Sequence, residues 1–155
     1  MQGSRTIAVD MGSRLARWID LSWRDRWRLL VCVQGLAAIH CLLAGCGFKR
    51  TRKVVELLSR TGIPHAASPT EIAEARALVE IVDIAGRHGI VKVTCLRRAL
   101  LVYGWLRRRG LRPSLRLGVL PQGTAVFEAH AWIELDDVCL IQADEAYLPF
   151  RASKS

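Results

Sequence analysis

The chain has 155 residues, a formal net charge of +9 and a pI near 10.1. Hydrophobic residues make up 51% of it, which excludes disorder for most of its length. This length fits one compact domain and leaves little room for a second. Residues 1–15 are polar and predict a mobile N-terminal segment. We expect residues 16–155 to form a single domain, with an apolar helical part over 16–66 and the core over 67–155.

The five cysteines form no CxxC pair, and only His40 and His65 lie near the first three, so the sequence indicates neither a zinc site nor a disulfide framework. An odd number of cysteines without a secretion signal predicts a reducing cytoplasm. We expect the three N-terminal cysteines to pack as core residues: Cys32, Cys41 and Cys46.

An apolar stretch without formal charge runs from residue 29 to residue 46, with arginines and lysines on both sides. It meets the minimum length of a membrane-spanning helix, although Gln34 and His40 interrupt it. We expect a buried or interfacial helix that packs on the core or on a partner, and we favour membrane association less. Gly45 and Gly47 are placed to end this helix.

A second helix is predicted over roughly residues 70–88, after a loop that contains Pro64 and Pro69. Ser68 or Thr70 can cap it, and Glu71 in its first turn favours the helix dipole. Its apolar residues form a stripe at helical spacing that predicts packing on the core: Ile72, Ala75, Leu78, Val79 and Val82.

A third helix is predicted to begin at Cys95, because Thr94 is a suitable N-cap and apolar residues recur at helical spacing as far as Leu106. Gly110 is placed to end it. Cys95 then lies in the first turn, where unpaired backbone N–H groups and the positive end of the helix dipole favour a thiolate. The alternative is that Cys95 packs as a small hydrophobic residue.

Residues 114–143 predict an antiparallel meander of three strands, with strands over 114–120, 126–135 and 138–143 and a tight turn at Asp136-Asp137. Alternation places Phe127 and Ile133 on the face expected to form core and His130 on the other face. A strand histidine flanked by carboxylates is ordinarily a half-exposed surface residue. Together with a helix-start cysteine, it becomes a candidate base.

Four short motifs now carry a resemblance: Cys-Leu-x-Arg-Ala-Leu at 95–100, Leu-Arg-Arg-Arg-Gly at 106–110, Leu-Gly-Val at 117–119 and Ala-His-Ala-Trp-Ile-Glu at 129–134. In order and spacing they resemble the leader peptidases of lasso-peptide maturation, relatives of the proteins that process lasso microcins. The resemblance covers roughly residues 85–150. It implies an α+β, transglutaminase-like and papain-related cysteine hydrolase, with the helix that bears the cysteine packed on a small antiparallel sheet.

The resemblance implies that Cys95 is the nucleophile and His130 the general base that also protonates the leaving amine. The family expects an acidic third residue about a dozen positions after the histidine. A count without gaps gives Gln142, whereas Asp144 lies two residues further on the same side of the strand. We favour Asp144, with Gln142 as the alternative, because a carboxylate stabilises imidazolium better than an amide. This chemistry requires no metal and no cofactor.

The function implied by the resemblance is cytoplasmic removal of the leader from a ribosomally made lasso-peptide precursor. We expect a chain of this length to lack the leader-recognition domain that is fused to some members of the family. We therefore expect a separate small leader-binding protein to deliver the precursor, and an ATP-dependent cyclase to close the ring afterwards.

Two other function classes fit parts of the sequence. A catalytically inactive transglutaminase-like interaction module would keep the architecture without using Cys95. The positive charge admits a nucleic-acid-binding domain. No recognition motif or aromatic stacking series accompanies the arginines, so we expect no nucleic-acid partner.

Overall fold

The computed structural model describes residues 23–60, 63–88, 93–119 and 129–141, together with the backbone of residues 148 and 149. Its elements follow in the order α1 (Trp23–Leu58), α2 (Pro69–His88), α3 (Cys95–Arg108), β1 (Pro113–Val119), β2 (Ala129–Leu135), β3 (Val138–Cys139) and β4 (Leu148–Pro149). Helices first and an antiparallel sheet afterwards give an α+β fold, which confirms the predicted class. The expected mobile segment 1–15 lies outside the described residues.

Helix α1 is broken at Gly47, whose backbone takes φ 72° and ψ 173°. A left-handed φ of this kind favours glycine and ends the first helical segment where the sequence predicted. The chain then resumes a helix as far as Leu58, inside the part over 16–66 that the sequence predicted to be helical. The buried Thr51 hydroxyl donates to the Gly47 carbonyl at 2.9 Å. The break redirects the second segment, so that Glu56 accepts a hydrogen bond from the Tyr103 hydroxyl on α3 at 3.1 Å.

One face of α1 packs against α2 and α3, and its core residues are Leu29, Cys32, Leu36 and Ile39. Gly35 lies so close to α3 that an added Cβ would come within 2.6 Å of a Leu101 methyl group. The prediction that Cys41 and Cys46 pack in the core is wrong, because both lie on parts of the helix that face solvent. Only Cys32 of the three is buried.

Helix α2 begins with a reciprocal cap, as the sequence predicted. The Ser68 hydroxyl accepts from the Glu71 N–H at 3.3 Å, and a Glu71 carboxylate oxygen accepts from the Ser68 N–H at 2.8 Å. The predicted stripe is confirmed, since Ala75, Leu78, Val79 and Val82 are buried and Ile72 is partly buried.

The sheet has the order β3-β2-β1-β4, and all its pairs are antiparallel. β1 and β2 pair along their whole length, from Pro113 opposite Leu135 to Val119 opposite Ala129. The tight turn predicted between β2 and β3 is confirmed, with φ of 46° at Asp136 and 65° at Asp137. The third strand is shorter than predicted, because regular pairing gives way to a bend after Cys139. Residues 120–128 and 142–143 of the predicted meander lie outside the described residues.

Helix α3 is central: it packs against α1, α2, β1 and β2, and Leu100, Val102 and Leu106 are completely buried. It ends as predicted at Gly110, with φ 82°. An added Cβ at Gly110 would approach the His65 ring to 3.2 Å. The backbone N–H of His65 donates to the Gly110 carbonyl at 2.9 Å. The end of α3 is thereby fixed against the loop before α2.

Candidate active site

Cys95 is the first residue of α3, as the sequence predicted. Thr94 takes an extended backbone (φ −97°, ψ 159°), and its side chain accepts from the Arg97 N–H at 3.5 Å. The first turn contains no acidic side chain. Cys95 is half-buried and packs against the hydrophobic core. In general, the free N–H groups of the first helical turn and the positive end of the helix dipole stabilise negative charge placed beside them.

A cleft of about 440 Å³ opens beside Cys95, between the second half of α2 and the start of α3. An added Cβ on Gly86 would come within 2.8 Å of a Val93 methyl group, so the chain leading into Cys95 runs directly against α2. The cleft is lined by Asp83, Gly86, Arg87, Val93, Thr94, Cys95 and Arg98. The thiol therefore lies in the wall of a cavity large enough to take part of a peptide.

An ion pair crosses this cleft from helix to helix. Arg98 Nη1 donates to Asp83 Oδ1 at 2.9 Å, and both side chains are largely withdrawn from solvent. Arg98 Nε is buried and has no hydrogen-bond partner among the described residues. The sequence analysis did not predict a role in the site for either residue. Arg98 could have been noticed, because it is the arginine of the Cys-Leu-x-Arg-Ala-Leu motif and follows Cys95 by one helical turn.

His130 is the second residue of β2 and lies opposite Gly118 of β1. The His130 and Trp132 rings are stacked, with centroids 6.3 Å apart and planes at 22°. His130 is half-buried, and its Nε2 is shielded from solvent. The ring is therefore held between strand and indole rather than projecting freely from the surface.

The support for His130 continues along the same strand face. Trp132 Nε1 donates to one Glu134 carboxylate oxygen at 3.0 Å, and Arg116 Nε donates to the other at 2.8 Å. Trp132 is only 5% exposed, although alternation places it on the face opposite the core residue Ile133. The sequence predicted one core face for this strand. In the structure both faces are covered at Trp132.

The candidate catalytic residues lie on elements that contact each other, because α3 packs against β2. His130 is not among the residues that line the Cys95 cleft. Asp144 and Gln142, the two candidates for the third residue, lie outside the described residues. β3 runs antiparallel to β2, so the described chain heads toward the His130 end of β2 as it reaches Ile141. The catalytic roles of Cys95, His130 and Asp144 stay predictions.

Within the described ranges, no group of three histidine, cysteine, aspartate or glutamate side chains is arranged to hold a metal ion. The five cysteines are all free thiols. Among the described residues, the polar side chains around Cys95 include the ion pair between Arg98 and Asp83.

The fold and the site define an α+β protein with a cysteine at the start of a central helix and a histidine on the antiparallel sheet against which that helix packs. A family model described as the transglutaminase-like superfamily matches residues 35–153, well over half of the chain. The chain belongs to this superfamily, which includes cysteine peptidases. Comparisons with curated proteins and with solved structures give no significant match.

Proposed function

We propose that this protein is a cysteine peptidase that removes the leader from a lasso-peptide precursor, with Cys95 as its nucleophile. The observation that carries the proposal is the position of Cys95: a capped helix start, half-buried, in the wall of a cleft. Membership of a superfamily that includes cysteine peptidases supports the same chemistry. The lasso specificity rests on the resemblance of the four motifs.

In the acylation step, the Cys95 thiolate attacks the carbonyl carbon of the scissile amide and a C–S bond forms. The carbonyl oxygen takes the negative charge, and the Cys95 backbone N–H is a natural donor to it at the helix start. The tetrahedral intermediate collapses with cleavage of the C–N bond. His130, protonated when the thiol ionises, gives its proton to the leaving amine, so that the core peptide departs with a free N-terminus.

In the deacylation step, His130 takes a proton from a water molecule that attacks the thioester carbonyl. The C–S bond breaks, the leader leaves with a new carboxylate, and the proton returns to the thiol. A third residue would hold the imidazole by its other nitrogen. Asp144 is the favoured candidate and Gln142 the alternative, and with the amide the imidazolium would be less stabilised and turnover slower.

The substrate is a precursor peptide, and the proposed partners follow from it. A separate small leader-binding protein presents the precursor, and an ATP-dependent cyclase uses the freed amine of the core peptide to close the ring. Both partners would act in the cytoplasm. The large cationic excess of the chain would attract an acidic leader or partner, and that association would weaken as salt is added.

Precursor cleavage followed by mass spectrometry tests the proposal, with the leader-binding protein present. The wild-type protein is expected to release an intact leader. Precursor cleavage should be lost in Cys95→Ala and in His130→Ala. A matched control is Cys139→Ala, which removes an exposed thiol from the neighbouring strand and should leave cleavage unchanged. Asp144→Ala and Gln142→Ala then decide which side chain is the third residue.

Cleavage that persists in Cys95→Ala would overturn the thiol mechanism and favour the inactive interaction module. Cysteine-directed trapping gives an independent readout. A peptide aldehyde that carries the leader sequence should add a hemithioacetal mass to wild type and to Cys139→Ala, but not to Cys95→Ala. Failure of both cleavage and trapping in folded wild type, with the partner present, would contradict the peptidase assignment itself.

A further inference from the structure

The residues that the structure describes leave an apolar face of α1 uncovered. Within α1, the segment Arg26–Leu58 contains an 18-residue window with a mean hydropathy of 2.1, so by length and composition this helix could cross a membrane. Only 22% of that window is buried. One side packs on the core, and on the opposite side the exposed positions at helical spacing from Trp23 to Gly45 carry no charged residue. Trp23 is 78% exposed, Trp27 62% and Leu30 49%. A helix that is apolar all round is normally covered on every side.

The exposed face has a definite order of sizes. At helical spacing it carries a stripe of seven residues, which we call the α1 stripe: Trp23, Trp27, Leu30, Gln34, Ala38, Cys41 and Gly45. The large side chains lie before Gln34, and the small ones after it. The stripe is also symmetric in spacing about Gln34, because each residue before Gln34 has a counterpart at the same distance after it. Position 30 corresponds to 38, position 27 to 41 and position 23 to 45.

A second copy of the same helix, running antiparallel about a two-fold axis at Gln34, would match this order. Each large residue would meet a small one, with Trp23 against Gly45, Trp27 against Cys41 and Leu30 against Ala38. The two Gln34 amides would face each other, and each amide carries both a donor and an acceptor. Two-fold interfaces use the same patch on both subunits and must be self-complementary in this sense.

The area is sufficient for association. A tryptophan side chain contributes surface on the order of 200 Å², so the measured exposures leave roughly 300 Å² of indole in water per chain. With the rest of the stripe, a dimer would cover roughly 1,000–1,200 Å² in total, the lower end of specific interfaces. We infer that the α1 stripe is a homodimer interface in which two α1 helices pack antiparallel about Gln34.

Charge distinguishes this partner from a membrane surface. Exposed cations flank the stripe at both ends, including Arg24, Lys49 and Arg50. In the antiparallel pair, the cations of the two copies approach each other at the edges of the interface, so added salt should strengthen the dimer. Binding of the same face to an anionic lipid surface would instead weaken with salt.

Sedimentation equilibrium of the full chain tests the inference, at roughly 10–100 μM protein, where interfaces of this size can associate. Wild type should form a dimer that tightens with salt. Trp27→Glu should raise the dimer dissociation constant by at least ~30-fold, as expected for a central aromatic anchor. Ile63→Glu is the matched control, because Ile63 is 90% exposed outside α1 and the same change there should leave the dimer intact.

Cross-linking tests the two-fold axis itself. The exposed cysteines at 41, 46 and 139 and the half-buried Cys95 are first replaced by serine. Gln34→Cys should then cross-link to its copy with a short bis-maleimide. Arg24→Cys should not, because it lies about 15 Å from the axis along each helix, by the rise of ~1.5 Å per residue. Equal cross-linking at both positions would indicate parallel helices and overturn the register.

A monomer at the highest concentration, with or without salt, would overturn the inference. A monomer that binds vesicles of phosphatidylglycerol and phosphatidylcholine, but not phosphatidylcholine alone, would assign the stripe to a lipid surface. Neither readout involves Cys95, so the inference and the proposed peptidase function can fail separately.

Discussion

Asp83 on α2 accepts a hydrogen bond from Arg98 on α3 at 2.9 Å, inside the cleft that Cys95 lines. A second ion pair joins Glu74 of α2 to Arg109, the residue that directly follows the last residue of α3. The pairs differ in exposure. Asp83 and Arg98 keep 33% and 23% of their side-chain surface in water, whereas Glu74 and Arg109 keep 54% and 37%.

Asp83→Asn is therefore expected to lower the free energy of unfolding by about 1–2 kcal/mol, because it leaves a partly buried guanidinium without its counter-charge. It should also reduce peptidase turnover, since Arg98 lies one turn from Cys95 and fixes the start of α3. Glu74→Gln should cost only about 0–0.5 kcal/mol and leave turnover unchanged. Urea unfolding and precursor cleavage measure the two effects. If Asp83→Asn and Glu74→Gln lose equal amounts of unfolding free energy and of turnover, the Asp83–Arg98 pair has no special role in the site.

Gly86→Ala is expected to displace the chain that leads into Cys95, because the added methyl group would lie 2.8 Å from a Val93 methyl group. The cost should be about 1–3 kcal/mol of unfolding free energy, typical of overpacking. Val93→Ala in the same chain removes the contacted methyl groups. The double variant Gly86→Ala/Val93→Ala should be more stable and cleave faster than Gly86→Ala alone. If its loss of unfolding free energy equals the sum of the losses in the two single variants, steric overlap is not the cause.

The cap of α2 makes a pH-dependent contribution to stability. The Ser68 backbone N–H, the His65 side chain and the Ser68 hydroxyl lower the pKa of Glu71 to about 2. A depressed carboxyl pKa stabilises the fold above the unfolded value near 4.5, and this contribution is lost as the pH falls through the folded value. Glu71→Gln should flatten the melting temperature between about pH 5 and pH 2. Glu80→Gln, on the exposed side of the same helix, controls for the loss of a carboxylate.

The cysteines should separate by reactivity. Burial raises the pKa of Cys32 to about 11, with Arg28 acting in the opposite direction. Because the thiolate is the reactive form, native protein at pH 7–8 should not be alkylated at Cys32, whereas the exposed Cys46 and Cys139 should react. Mass spectrometry of tryptic peptides after iodoacetamide treatment reads each site. Labelling of Cys32 at the same rate as Cys46 would show that the α1 core opens readily.

The raised Cys32 pKa also predicts a loss of stability at high pH. A thiol that is harder to ionise when folded stabilises the fold below the unfolded pKa near 9, and this contribution disappears as the pH rises toward 11. Cys32→Ala should remove that part of the pH dependence. The substitution should also cost stability at neutral pH, because Cys32 is completely buried.

Local chemistry made parts of this protein readable from sequence. Thr94 before an apolar period fixed the start of α3 at Cys95, Ser68 with Glu71 fixed the start of α2, and Gly110 marked the end of α3. Each of these signals depends on hydrogen bonds or backbone angles within a few residues, so the identities of neighbouring residues are enough to predict where the helix begins or ends. The alternation that placed Ala131 and Ile133 in the core is local in the same sense.

Only the tertiary structure decided which surfaces meet. The sequence alone predicted that Cys41 and Cys46 lie in the core, and that prediction was wrong. Alternation places Trp132 on the strand face opposite Ile133, yet the structure buries it. Burial of these residues depends on whether a distant segment covers them. The Asp83–Arg98 pair likewise joins positions 15 residues apart on two helices, and no local pattern reports their approach. Periodicity shows which residues share a face, whereas long-range packing determines what lies against that face.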